Sequence, residues 1–373
     1  MDLVADALFD RLRTEHFEGV DAVLMRPPFK RRFARRANTR KRNGLSRVMF
    51  NADRLLNRFI DYPRLLKRAR HDFDVFHIID HSYAHLVHQV EARRAIVTCH
   101  DLDAFRPVIE PSGTVWGPLL KAMSARELDG LQRAAMVPCD SDATRNELLR
   151  HRLVAADRMV TIPNGVAPYF RAQPDLQADR KAEILLGPIR ADTLEILHVG
   201  STISRKRIDV LLRVFAGIRK TYEAARLVRV SGSFTAEQAK LARELRVEEA
   251  TTVLPFVEPA ILAAIYRRAA IVLITSAQEG FGLPLIEAMA CGAPVLASDL
   301  AVLREVGGEA VEYVAVGDVA AWISVVLRML RERRYDHARW NARRSDGFKR
   351  AEKFSWSEYA WRYAGLYRQV ASG

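Results

Sequence analysis

Residues 270–275 form an unbroken apolar run that leads straight into a turn carrying Gly280 and Gly282, and then into a helix-patterned stretch. A buried strand, a glycine turn and a helix in that order make half of a βαβ unit, which commits the chain to parallel sheets covered by helices. Pro284 suits the first turn of the helix, where no N–H is needed, and Gly292 followed by Pro294 suits its end. The glycines on either side of Phe281 remove side chains, so backbone N–H groups there can approach a ligand closely. They lie at a helix N-terminus, where aligned peptide dipoles favour an anion. Glu279 precedes the turn and Glu287, eight residues after Glu279, follows it, so both carboxylates can face one cavity. The pattern suits a ligand with phosphate at one end and hydroxyls at the other.

The same alternation runs through most of the chain. Strands are expected at 21–25, 75–79, 95–99, 136–139 and 159–162, and again at 196–199, 226–230, 252–256, 271–275 and 294–297. Residues 173–190 are polar and weakly periodic, and a domain linker is expected there. The 373 residues leave room for two domains of ordinary size. The spacing of Ile208, Leu211, Leu212, Phe215 and Ile218 predicts a one-faced helix after Gly200. Trp356, Tyr359, Tyr363 and Tyr367 predict a packing helix that closes the chain. A doubly wound domain ordinarily opens with a strand and a Gly-rich turn. Here residues 3–12 read as a helix, so that first strand is expected to be missing, either dispensed with or lost upstream of the present start.

Composition narrows the class. No apolar run reaches the ~20 residues that cross a bilayer, and no secretory leader is apparent. Cys99, Cys139 and Cys291 lack metal-ligand spacing and suit a reducing cytosol. The net charge of +13 is concentrated in residues 26–70, where sixteen Lys and Arg face only Asp53 and Asp61. Nucleic acid, a merely solvated loop and an anionic membrane surface are the readings of this segment. No nucleic-acid motif accompanies it, whereas Phe29, Phe33, Val48, Phe50, Leu55, Leu56 and Phe59 add apolar contact. Membrane docking is therefore favoured.

The block from Glu279 to Glu287 resembles the signature of retaining, nucleotide-sugar-dependent glycosyltransferases of the group 1 superfamily, the glycogen-synthase-like or family 4 type. Val199 to Lys206 followed by Asp209, Thr98 to Leu102 around His100, Ile162 to Val166, and the terminal Phe354, Ser355 and Trp356 agree with it. The resemblance covers roughly residues 75–373 and implies an α/β fold with two facing Rossmann-like domains (GT-B type) and a C-terminal closing helix. The expected boundaries are 1–172 for an acceptor-side domain, 191–350 for a nucleotide-sugar domain and 351–373 for the closing helix.

The resemblance implies a hexosyltransferase acting with retention. The donor would be a nucleotide diphosphate sugar carrying mannose or glucose, and the acceptor a saccharide or lipid-linked saccharide. Arg205 and Lys206, in the loop opened by Gly200, would neutralise the diphosphate. Glu287 would accept hydrogen bonds from the ribose hydroxyls. Glu279, with the backbone of Phe281, Gly282 and Leu283, would hold the donor sugar and phosphate, and His100 would act beside that sugar. Asp80 to Tyr83 would line the acceptor side. The family commonly has Arg after the glycine where this chain has Ser201. Asp101 and Asp103 have the spacing of a metal motif, but Lys206, Arg205 and the helix N-terminus already serve the phosphates, so neither metal nor cofactor is expected. A cytoplasmic protein, peripheral on the inner membrane face, follows from these expectations. The alternative is a non-catalytic nucleotide-sugar-binding or scaffold protein of the same fold.

Overall fold

The computed structural model describes residues 2–34, 44–110, 116–189 and 194–373. Its residues divide into two compact units, one of 1–162 with 359–373 and one of 163–358. The boundary thus falls at Ile162, earlier than the expected linker. Within 173–190 stands a helix, Leu176–Leu186, capped by the Asp175 carboxylate accepting from the N–H groups of Gln177 and Ala178. Its weak periodicity has a cause: only Ala178, Ala182 and Leu186 are buried, while Ile184 is 83% exposed.

The first unit opens on helix Asp2–Thr14 and holds four short strands: β1 (Phe76–Ile78), β2 (Ala95–Val97), β3 (Val137–Cys139) and β4 (Met159–Thr161). β1 pairs in parallel with β2, and β3 with β4. Single bridges, Ile96 to Met136 and Cys99 to Cys139, join the two ladders. The strand expected at 21–25 does not form, because no ladder partner lies beside it. The tail from Tyr359 onward belongs to this unit, as the end of helix Trp356–Ser372. It is anchored by hydrogen bonds from Tyr363 to Thr98 (2.7 Å) and from Tyr367 to His77 (2.7 Å). Those hydroxyls explain two tyrosines of the aromatic stripe: the rings of Tyr363 and Tyr367 bury their bodies and share their polar tips with a partner.

The second unit is a six-stranded parallel sheet made of β5 (Leu194–Val199), β6 (Ala225–Val230), β7 (Thr251–Leu254), β8 (Ile271–Ile274), β9 (Val295–Ser298) and β10 (Glu312–Val314). Strand order is β10-β9-β8-β5-β6-β7. β5 and β8 are adjacent, and from them the chain winds outward in opposite directions. Such a reversal opens a crevice beyond the carboxyl ends of the two strands, where parallel sheets place their ligands. Helix Ile208–Arg219 buries Ile208, Leu211, Leu212, Phe215 and Ile218, as its spacing predicts, against a core that also contains Trp322. Each such side chain contributes on the order of 1.5–3 kcal/mol by leaving water. β10 was absent from the expected strands: only three residues long, it sits at the sheet edge with two of them half-buried.

Candidate donor site at the strand reversal

Two loops leave the carboxyl ends of β5 and β8. The first runs from Gly200 through a short 3₁₀ turn, Ser204–Lys206, to helix Ile208–Arg219. The second runs from Thr275 to helix Leu283–Ala290. They are tied together by the Ala277 N–H donating to the Arg205 carbonyl (2.7 Å) and the Thr275 hydroxyl donating to the Lys206 carbonyl (3.0 Å).

These ties bring the predicted bases and acid into contact. Lys206 Nζ lies 2.5 Å from Glu279 Oε1, and the Ser276 hydroxyl donates to the same oxygen at 2.7 Å. Arg205 stands 3.8 Å from the other carboxylate oxygen and donates to the Gln278 carbonyl. Glu279 and Lys206 are largely buried and Arg205 about a quarter exposed. The three side chains form one cluster with a net positive charge.

The glycine turn takes the expected form. Gly282 caps helix Leu283–Ala290 at φ +100°, and a Cβ there would lie 2.8 Å from the Leu303 side chain. Only glycine fits both demands. Among the described residues, the N–H groups of Phe281, Gly282 and Leu283 donate no hydrogen bond within the chain, as is usual for the first turn of a helix. The Phe281 ring is buried and packs edge-on to Phe354.

Glu287 lies in the middle of that helix and is 9% exposed. Burial pushes its carboxyl up to about 7, although the Tyr266 hydroxyl donates to it at 2.9 Å and opposes the shift. Tyr266 is fully buried, on helix Pro259–Arg268. Sequence reasoning missed it, because a tyrosine on the apolar face of a helix carries no local mark of its partner.

Arg229 was also missed. It is wholly buried in β6 and donates to the carbonyls of Gly200 (2.7 Å) and Gly232, which holds the start of the loop after β5 in place. Its desolvation lowers the guanidinium to about 10. A base inside the apolar run of β6 was the available signal.

His100 lies in the first unit, just past β2. Nδ1 is 2.5 Å from Asp140 and Nε2 2.6 Å from the Ile79 carbonyl. Both partners are acceptors, so both ring nitrogens donate and the imidazolium is the form that fits. Burial alone would lower its pKa, but the Asp140 charge and hydrogen bond raise it overall. Both ring nitrogens are thus engaged within the first unit. Asp80 caps the following 3₁₀ segment through the Ser82 N–H, and His81 Nε2 lies 3.4 Å from Asp101. Asp101 and Asp103 each serve local partners, the Asp103 N–H and Arg106 respectively.

In the basic segment, residues 35–43 lie outside the described residues. Around them, the two acids act as organisers. Asp53 accepts from the backbone N–H groups of Arg32, Phe33 and Ala34, and Asp61 pairs with Arg32 and Lys30. Arg58 is drawn inward to Glu127 (2.6 Å). Phe50 packs on Phe29 and Phe59 on His85, whereas Phe29, Phe33, Val48 and Leu55 remain exposed. No helix among the described residues is long and apolar enough to cross a membrane.

Comparison with known proteins agrees with this geometry. Residues 10–169 match the family model described as Glycosyltransferase Family 4, and residues 185–345 the one described as Glycosyl transferases group 1. A D-inositol 3-phosphate glycosyltransferase of Kineococcus radiotolerans is 31% identical over 70% of this chain. The chain spans 61% of the length of that relative and of its Segniliparus rotundus counterpart. Among solved structures, WaaG, a glycosyltransferase involved in lipopolysaccharide biosynthesis, superposes with a TM-score of 0.70 at 15% identity, covering 98% of this chain and 95% of its own. HepE from Anabaena, solved with UDP and glucose, gives a TM-score of 0.68 at 17% identity, covering 83% of this chain and 82% of its own. These likenesses are of fold, the two-unit α/β architecture of the GT-B class.

Proposed function

This chain belongs to the group 1 glycosyltransferases, and on that premise we propose that it moves a hexose, mannose or glucose, from a nucleotide diphosphate sugar to a saccharide or lipid-linked saccharide, with retention at the anomeric carbon. The observation that carries the reading is the convergence of two loops at the β5–β8 reversal. One supplies Arg205 and Lys206, and the other supplies a helix N-terminus with undonated N–H groups. Such a site suits a diphosphate. Glu287, in the same helix, suits the ribose hydroxyls, and Glu279 the sugar. The anomeric bond to the diphosphate breaks while the acceptor oxygen bonds to the same face, its proton passing to the departing phosphate oxygen. Positive charge at Arg205 and Lys206 stabilises the leaving group, so no protein nucleophile is needed. No resident metal or cofactor enters this reading. Calorimetric titration with GDP-mannose, UDP-glucose, GDP and UDP tests it. Binding of one nucleotide family, lost in Glu287→Ala, supports the site, and NMR of the product decides retention. Binding without turnover on any acceptor would favour the non-catalytic alternative.

We also propose that the basic segment holds the protein, on the cytoplasmic side, against an anionic membrane, with Phe29, Phe33, Val48 and Leu55 as apolar contacts. Flotation with phosphatidylglycerol vesicles but not with phosphatidylcholine vesicles is expected. Equal behaviour with both would overturn it.

A further inference from the structure

Arg229 is a buried cation without an anion. It is wholly enclosed near the carboxyl end of β6, yet among the described residues no carboxylate lies within ion-pairing distance of it, and its Nε has no hydrogen-bond partner. Its partner in the β5–β6 ladder is His198, which is also buried. Burial, with the charges of Arg229 and Lys206, lowers that imidazole to about 3, so it is neutral. Such isolation is unusual, because buried charges are ordinarily paired.

What Arg229 does hold is two peptide groups. It donates to the carbonyl of Gly200, just past β5, and to that of Gly232, just past β6. A trans peptide is planar, with its N–H opposite its C=O, and none of the described peptides is cis. With both carbonyls turned inward to one guanidinium, the N–H groups of Ser201 and Ser233 point outward from neighbouring loops. Both serines are exposed, and among the described residues neither N–H donates a hydrogen bond. The second loop adopts a strained backbone to reach this position. Ser231 stands at φ +85° and Gly232 at +118°, and the first of these is costly for a residue with a side chain.

Lys206 borders the same place. A Cβ on Gly200 would lie 3.4 Å from His198 Cε1 and 3.6 Å from Lys206 Cε. The Ser201 N–H, next along the chain, therefore opens beside the Lys206 side chain. Two outward N–H groups, an ammonium, and an unpaired guanidinium behind them suit a phosphate group.

We propose that Arg229 is a positioning residue for phosphate: it turns the peptides after Gly200 and Gly232 so that the Ser201 and Ser233 N–H groups bond oxygens of the donor diphosphate, whose charge balances the guanidinium. This rests on the diphosphate-sugar reading of the site and adds to it two donors and the residue that sets them. Lysine could not replace the arginine, since an ammonium lacks the planar fork that holds two carbonyls at once.

The test is an amide NMR titration of the full chain with GDP and UDP, with guanosine and uridine as phosphate-free controls. Saturable downfield shifts of the Ser201 and Ser233 amide protons are expected with a diphosphate and not with its nucleoside. Calorimetry then compares Arg229→Met and Arg229→Lys. Both are expected to weaken diphosphate binding roughly tenfold or more and to leave nucleoside binding unchanged. Equal losses for nucleoside and diphosphate would mean that Arg229 only holds the fold, and would overturn the proposal. A diphosphate that moves the amides of Lys206 and Phe281 but not those of Ser201 and Ser233 would overturn it as well. Should neither variant fold, the titration of the unaltered protein still decides. No diphosphate binding to the unaltered protein would remove the donor reading itself, and this proposal with it.

Discussion

Lys206 and Glu279, 73 residues apart in sequence, meet at 2.5 Å on top of the β5–β8 reversal. The pair is largely buried, and the Ser276 hydroxyl donates to the same carboxylate oxygen. A buried pair of this kind adds little net stability, but removing one partner strands the other charge away from water. Its value here is placement: it fixes the ammonium against the carboxylate of the loop that leads into the helix starting at Leu283.

Lys206→Met is expected to weaken nucleotide diphosphate binding by roughly 10- to 100-fold, the size of one or two charged hydrogen bonds. It should also destabilise the fold by about 3 kcal/mol through the stranded Glu279. Lys206→Met with Glu279→Gln should recover most of that stability and none of the affinity. Calorimetry and urea unfolding on the three variants separate the two effects.

Glu287 carries a pH signature. Its folded carboxyl titrates near 7, above the ordinary 4.5 of the unfolded chain, because of burial. Its contribution to stability is therefore full below about 4.5 and is lost as pH rises through about 7. Glu127 has a like shift, so the comparison must be with Glu287→Gln. That variant should lose less stability between pH 4.5 and 7.5 in urea titrations, and an unchanged slope would contradict the assignment.

Tyr266→Phe removes the one hydroxyl that donates to Glu287 among the described residues. A loss of about 1 kcal/mol in nucleotide affinity, roughly fivefold, is expected. The effect should vanish in a Glu287→Gln background, because the hydroxyl acts through that carboxylate.

His100 should remain protonated above its ordinary 6.5, burial being outweighed by Asp140. The stability it contributes is full below 6.5 and lost as pH rises through the higher folded value. In Asp140→Asn burial is opposed only by the Ile79 carbonyl and the Asp80 charge, and the midpoint should fall relative to the unaltered protein. Imidazole proton shifts followed by NMR read both midpoints directly.

Gly282→Ala must adopt φ +100° and place a methyl 2.8 Å from Leu303. A cost of about 2 kcal/mol or more is expected from the left-handed backbone and the overlap together. Nucleotide affinity should fall with it, since the same turn presents the N–H groups of Phe281 and Leu283. Chemical denaturation and calorimetry measure each part.

Much of the second unit could be read from residues in order. The strand before Ser276, the glycine turn and the helix to Ala290 are local features, written in apolar runs and in Gly and Pro placement. Helix Ile208–Arg219 was likewise visible, since its five spaced apolar residues all became buried. β10 was not visible, because a three-residue edge strand owes its existence to β9 beside it. Residues 21–25 show the converse: a strand pattern without a neighbour makes no strand. The helix at Leu176–Leu186 escaped notice because only one narrow face is buried.

The sequence by itself determined the parallel α/β class, the glycine turn, and the identity of the acids and bases that line it, since periodicity and backbone freedom act over a few residues. Only the tertiary structure decided which of them touch. Lys206 with Glu279, Tyr266 under Glu287, Arg229 beneath Gly200 and Asp140 behind His100 are each joined across 20 residues or more. Such pairings follow from strand order and from burial, which sets how strongly a charge needs a partner, and neither quantity belongs to any stretch of chain taken alone.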